Sequence, residues 1–159
     1  MGSELIWIIL LSMLPIAELR VGLPLGIIYA TQQGIPSILI ILLSIISNIL
    51  AIFVAFYFLD HLHKFFMKFS WYKKIFEKAL KKLQKKIDKF RNSYSSWGMI
   101  ALAIFVAIPL PGTGAWTACL ISWVLGLERK KSVISIAVGV IGAGVIVSLA
   151  SLGIINLLV

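Results

Sequence analysis

Acidic side chains are scarce in this chain. Glu4, Glu18, Asp60, Glu77, Asp88 and Glu128 are the only six among 159 residues. Cysteine is scarcer: Cys119 stands alone inside an apolar run, which excludes a disulfide framework or a thiolate metal cluster. His61 and His63 make a His-x-His with no third ligand in sight, and read as interfacial residues rather than a metal site. The apolar segments hold no Ser–His, Cys–His or paired-carboxylate constellation, so an intramembrane enzyme has the least behind it, and no metal or cofactor is called for. The opening Met-Gly-Ser-Glu lacks a basic n-region and no small-residue cleavage site follows, so a cleavable signal is not expected. Ile6 stands where a myristoylated chain needs Ser or Thr.

Apolar residues are abundant, at 60%, with only 13% charged. Water-soluble domains carry about a quarter charged residues. Leu23–Ala30, Ile35–Leu59, Gly98–Leu127 and Ser132–Val159 contain no Lys, Arg, Asp or Glu. At about 1.5 Å rise per residue, runs such as 35–59 and 132–159 can cross a hydrocarbon core roughly 30 Å thick. A chain this short cannot shield four such runs from water, so an all-α integral membrane protein is expected.

The net charge of +9 is concentrated. Residues 60–97 hold eleven Lys and Arg against Asp60, Glu77 and Asp88, and the other basic cluster is Arg129, Lys130 and Lys131. Short basic loops stay cytoplasmic, so the linker 60–96 and the loop 128–131 should share that side of the plasma membrane. Four plain spans would separate them. The conflict vanishes if the first and third apolar segments are hairpins that enter and leave on one side. Leu5–Leu14 is half a span, and Pro15, Glu18, Arg20, Gly22, Pro24 and Gly26 follow as breakers and charges. The third segment breaks at Pro109-Leu-Pro111-Gly112-Thr113-Gly114.

Each half then reads as arm, break, arm, tight loop and one full span. The expected fold is an inverted repeat of a re-entrant helical hairpin plus one transmembrane helix. Repeat one covers 4–59 and repeat two 97–159, in a single membrane domain with both termini outside. The linker 60–96 should be a basic amphipathic helix on the cytoplasmic face. Ile75, Phe76, Ala79, Leu80, Leu83, Ile87 and Phe90 recur at helical spacing among lysines, which suits anionic lipid. Nucleic acid is the weaker partner for these lysines, since charge alone supplies only non-specific affinity. Ser135, Gly139, Gly142, Gly144 and Ser148 on the last span fit close helix packing, and Asn48 on the second could hydrogen-bond across helices. Two hairpins and two spans are few to enclose a path, so a homodimer is expected.

Glu18 and Arg20 are the two ionisable side chains within apolar segments away from their ends. Such residues face a cavity or each other; a functional site and a mutually neutralising pair both remain open. Pro24 has the character of a first helical residue and Thr113 that of an N-cap, so two helices should start near the midplane with Gly22, Gly112 and Gly114 beside them. Unsatisfied N–H groups there suit a phosphate or carboxylate, and Arg20 adds positive charge. Glu18 is the acid able to take and release a proton. Trp116 follows the second break closely enough to line a site, although packing suits it too.

Pro15-Ile-Ala-Glu18-Leu-Arg20-Val-Gly22-Leu-Pro24-Leu-Gly26 and Pro109-Leu-Pro111-Gly112-Thr113-Gly114-Ala-Trp116 resemble the two signature segments of the small multidrug export family. That family looks like a distant branch of the DedA superfamily. The resemblance implies two re-entrant hairpins that meet within the membrane, each followed by a spanning helix. It also implies proton-linked transport or flipping of lipid phosphates such as undecaprenyl phosphate, with Glu18 and Arg20 in the first motif and residues 109–114 in the second. No arginine stands in the second break, which departs from better-known DedA members. The reading is therefore a proton-driven transporter or flippase of an anionic lipid. The alternatives are an exporter of cationic drugs centred on Glu18, and a structural membrane protein in which Glu18 and Arg20 are a packed pair.

Overall fold

In the computed structural model, residues 6–7, 10, 12–14, 18–71, 73–74, 77–78, 94–110 and 112–158 are described, and all regular structure among them is helical. Five helices carry the architecture: α1 (Glu18–Gln33), α2 (Ser37–Phe66), α3 (Tyr94–Ala107), α4 (Ala115–Val124) and α5 (Arg129–Leu158). Of the first arm, residues 6, 7, 10, 12 and 13 are helical.

Two helices are long and apolar enough to cross a membrane, over Ser37–His61 and Arg129–Ile154. How their faces are used decides the solvent. On α2 the buried face holds Ser44, Ser47 and Asn48, while Leu42, Ile46, Leu50, Phe53 and Tyr57 point outward. On α5, Ser135, Ser148 and Ser151 are buried while Ile134, Val138, Ile141, Val145 and Leu149 are exposed. A helix in water would invert this. Lipid accepts the apolar stripe, and the hydroxyls of Ser47, Ser148 and Ser151 turn inward to the carbonyls of Ser44, Gly144 and Val147. The chain is a membrane protein.

The long helices run antiparallel. Asp60 near the end of α2 meets Arg129 at the start of α5, and Ile45, earlier in α2, packs against Gly144, later in α5. α1 and α4 each pack against both long helices, and α3 packs chiefly against α5. The glycines of α5 permit the last contact. A Cβ at Gly139 would lie 2.6 Å from Ala103 O, and one at Gly142 would lie 3.1 Å from the Ala107 side chain. The end of α3 therefore sits beside the middle of α5. With 14 and 10 residues, α3 and α4 reach only about 21 and 15 Å. Gly98 near the start of α3 lines one cavity with Leu125 and Leu127 beyond α4.

Several sequence expectations are corrected. Pro24 is not a first helical residue; α1 begins at Glu18 and carries Pro24 inside it. A proline there costs one bond, to the Arg20 carbonyl, and the buried Leu19, Leu23 and Ile27 hold the helix through it. Thr113 is not an N-cap: Gly114 occupies that position in α4 and offers no side-chain bond. α2 continues past Leu59 to Phe66, because residues 60–66 need no break to leave an apolar environment as helix. α5 opens at Arg129 rather than Ser132. The amphipathic pattern expected at 75–90 lies almost wholly outside the described residues.

Candidate functional site

The site forms where the two breaks meet, beside the middle of α5. Glu18 opens α1 with φ +45, a left-handed conformation rarely adopted by a residue with a Cβ. Its own N–H donates to Leu14 O at 3.0 Å, and its side chain is only 7% exposed. The carboxylate reaches across to the second break, where Oε1 accepts the Trp116 backbone N–H at 3.2 Å. Trp116 is the second residue of α4, so Glu18 satisfies a donor that an N-cap side chain would ordinarily take. Gly114 makes this possible: a Cβ there would collide with the Glu18 carboxylate. The cap that the sequence suggested for Thr113 is thus supplied by the other half of the chain.

Thr113 serves Arg20 instead. Arg20 Nη2 donates to Thr113 Oγ1 at 2.7 Å. The same hydroxyl lies 2.7 Å from Ile108 O and 2.8 Å from Leu110 O, and accepts the Leu110 N–H at 3.2 Å. Three partners fix its position, and it holds the guanidinium in turn. Glu18 and Arg20 therefore both reach the second break. The ion pairs among the described residues are Asp60–Arg129 and Glu128–Lys131.

Arg20 lines a cavity of about 350 Å³ with Pro24, Ile28, Pro109, Ile146, Val147, Ala150, Ser151 and Ile154. It is the one charged residue of that lining. The cavity lies between α1 and the later half of α5, away from the Asp60 end. Glu18 does not line it.

The remaining sequence-predicted residues divide by position. Pro24 and Pro109 border the cavity. Gly112 turns the second break with φ +84. Gly22 serves packing, since a Cβ there would strike Ser12. Trp116 braces the breaks through its indole as well, with Nε1 donating to Met13 O at 2.9 Å. Pro111 lies outside the described residues. Asn48, expected to hydrogen-bond across helices, does so: its Nδ2 donates to Ser12 O at 2.7 Å and ties the first arm to α2. Sequence reasoning missed one feature. Asp60, counted only as a linker charge, takes a bidentate contact from Arg129 and a bond from Trp123. An acid ending one span and a base opening the next was the available signal.

Residues 18–146 match the family described as "Putative small multi-drug export protein". The chain belongs to that family. The match begins at Glu18 and includes Arg20, Pro24, the second break and Trp116, while Val147, Ala150, Ser151 and Ile154 of the cavity wall lie beyond its end. No curated protein and no solved structure matches the chain.

Proposed function

We propose that this export-family protein moves an anionic amphiphile, of the polyprenyl phosphate class, across the membrane, with Glu18 as the proton-exchanging group. One observation carries the reading: the guanidinium of Arg20 is the sole charge on an otherwise uncharged cavity of about 350 Å³ at the meeting of the breaks. A cation placed in apolar surroundings favours an anionic headgroup, and the apolar wall beyond it suits an aliphatic tail. Glu18 contributes differently. Its buried carboxylate holds the N-terminus of α4, so protonation would weaken that hold and couple a proton to movement of the second break.

The proposed topology is two re-entrant hairpins, each followed by a spanning helix, with the linker and loop 128–131 cytoplasmic and both termini outside. The Asp60–Arg129 contact supports it, because it brings the start of the basic linker beside the loop 128–131. The packing of α1 and α4 alike against α2 and α5 supports the inverted repeat.

Export of cationic drugs is the competing reading and takes its support from the family's description. It asks Glu18 to meet the substrate, whereas the cavity presents Arg20. Proteoliposomes loaded with a fluorescent alkyl phosphate or with a cationic dye separate the two. Arg20→Ala should weaken alkyl phosphate binding ten- to a hundredfold, since charge-assisted contacts are worth about 1.5–3 kcal/mol. Glu18→Gln should leave binding in place and remove its dependence on the proton gradient. If Arg20→Ala moves the alkyl phosphate at the wild-type rate and affinity, the anionic reading fails. If Glu18→Gln abolishes dye binding while Arg20→Ala does not, the cationic reading replaces it.

A further inference from the structure

One carboxylate ties three helices together at the end of the bundle where the basic loop lies. Asp60 Oδ1 accepts Trp123 Nε1 of α4 at 2.8 Å and Arg129 Nη2 of α5 at 2.9 Å. Asp60 Oδ2 takes the same guanidinium at 2.8 Å, and the guanidinium carbon lies 4.1 Å from the centre of the Phe56 ring. Between this clasp and Arg20 the interior is shut: Ile52, Ala118, Cys119 and Ile136 are fully buried. The cavity at Arg20 lies against residues 146–154, on the other half of α5. It lies on the half of the bundle away from the clasp. A solute held at Arg20 gains a route past the clasp only if an element moves aside.

The properties of α4 suit that movement. It has ten residues and is bounded by Gly112 at φ +84 and Gly126 at φ +63, two positions where the chain is free to swivel without a Cβ penalty. Its strongest polar tethers are near its two ends, the Trp116 backbone N–H to Glu18 and indole to Met13 O, and the Trp123 indole to Asp60; between them the Cys119 thiol makes only a long contact of 3.9 Å to Ile52 O. The side chains of Arg129 and Asp60 are 45% and 42% exposed. Ion pairs that remain partly in water are cheap to break, as a latch opened at every turnover requires, whereas a fully buried pair is costly to separate.

We propose that α4 is the inner gate of the transport cycle and that the Asp60–Trp123–Arg129 clasp is its latch. This rests on the transport reading above. Opening the latch releases the far end of α4, which swings about the flanking glycines and wets the interior face that carries Cys119. The near end is held by Glu18, so the proton-exchanging group and the latch act on the two ends of one helix.

Native Cys119 is the reporter, in the full chain reconstituted in phosphatidylethanolamine–phosphatidylglycerol vesicles. A membrane-impermeant maleimide is applied from the side of residues 128–131. At rest Cys119 should stay unlabelled, and its labelling should accelerate at least tenfold while a fluorescent alkyl phosphate is being moved. Asp60→Ala and Trp123→Phe should label at rest, with melting temperatures showing that each is folded. Wild-type protein whose Cys119 stays unlabelled through many turnovers overturns the gate. So do folded latch variants that label no faster than wild type. If neither alkyl phosphate nor a cationic dye is moved, yet both latch variants wet Cys119, the moving helix stands and the substrate reading falls.

Discussion

Gly114→Ala tests whether Glu18 really caps α4 from the opposite half of the chain. Gly114 has φ −84 and ψ −176, a conformation open to any residue, so alanine brings no backbone strain. Its Cβ would instead occupy the space of the Glu18 carboxylate. Glu18 is 7% exposed and has no easy retreat to water, so the bond to the Trp116 N–H would be lost. Losing a hydrogen bond to a carboxylate costs about 1.5–3 kcal/mol. Replacing a glycine where its conformation is ordinary returns about 0.4–1 kcal/mol through the unfolded chain. The net loss should be about 1–2 kcal/mol, which for a chain of this size lowers Tm by roughly 2–8 °C. In a Glu18→Ala background the collision is gone, and Gly114→Ala should become neutral or raise Tm slightly. Tryptophan fluorescence melts in detergent of the wild type, both single variants and the double variant give the coupling directly. Equal effects of Gly114→Ala in both backgrounds would refute the cross-chain cap.

The glycines of α5 should differ in tolerance. Gly139→Ala meets the Ala103 backbone oxygen at 2.6 Å and should cost about 1–3 kcal/mol, whereas Gly144→Ala meets only the movable Ile45 side chain and should cost less; melting temperatures in the reverse order would contradict the packing. For topology, single cysteines at positions 70 and 130 in a Cys119→Ala chain should label from one side of the membrane and a cysteine at position 34 from the other. Labelling of positions 70 and 130 from opposite sides would restore four plain spans.

Much of the architecture was legible because it is written in local terms. A run of 25 apolar residues without charge must be helical in lipid, since only a helix satisfies its backbone within one segment. That reasoning found both long helices and located the breaks around Glu18 and residues 109–114. It also marked Glu18 and Arg20 as the charges in need of an explanation, because an unpartnered charge at such depth is costly wherever it sits.

Partnership was not legible. Glu18 and Arg20 stand two apart and invite a pair, yet each reaches a residue more than ninety positions away. Thr113 has the chemistry of an N-cap and Gly114 has none, but the empty space at Gly114 admits a carboxylate from the other half, while Thr113 is taken by Arg20. Asp60 and Arg129 looked like two charges of two loops until antiparallel packing of α2 and α5 brought them within 2.8 Å. Hydrophobicity, run length and helix-breaking act over a few neighbouring residues, so the sequence by itself determined the helices, the breaks and the solvent. Hydrogen bonds and ion pairs act over about 3 Å in space regardless of distance along the chain, so only the tertiary structure decided which polar groups meet.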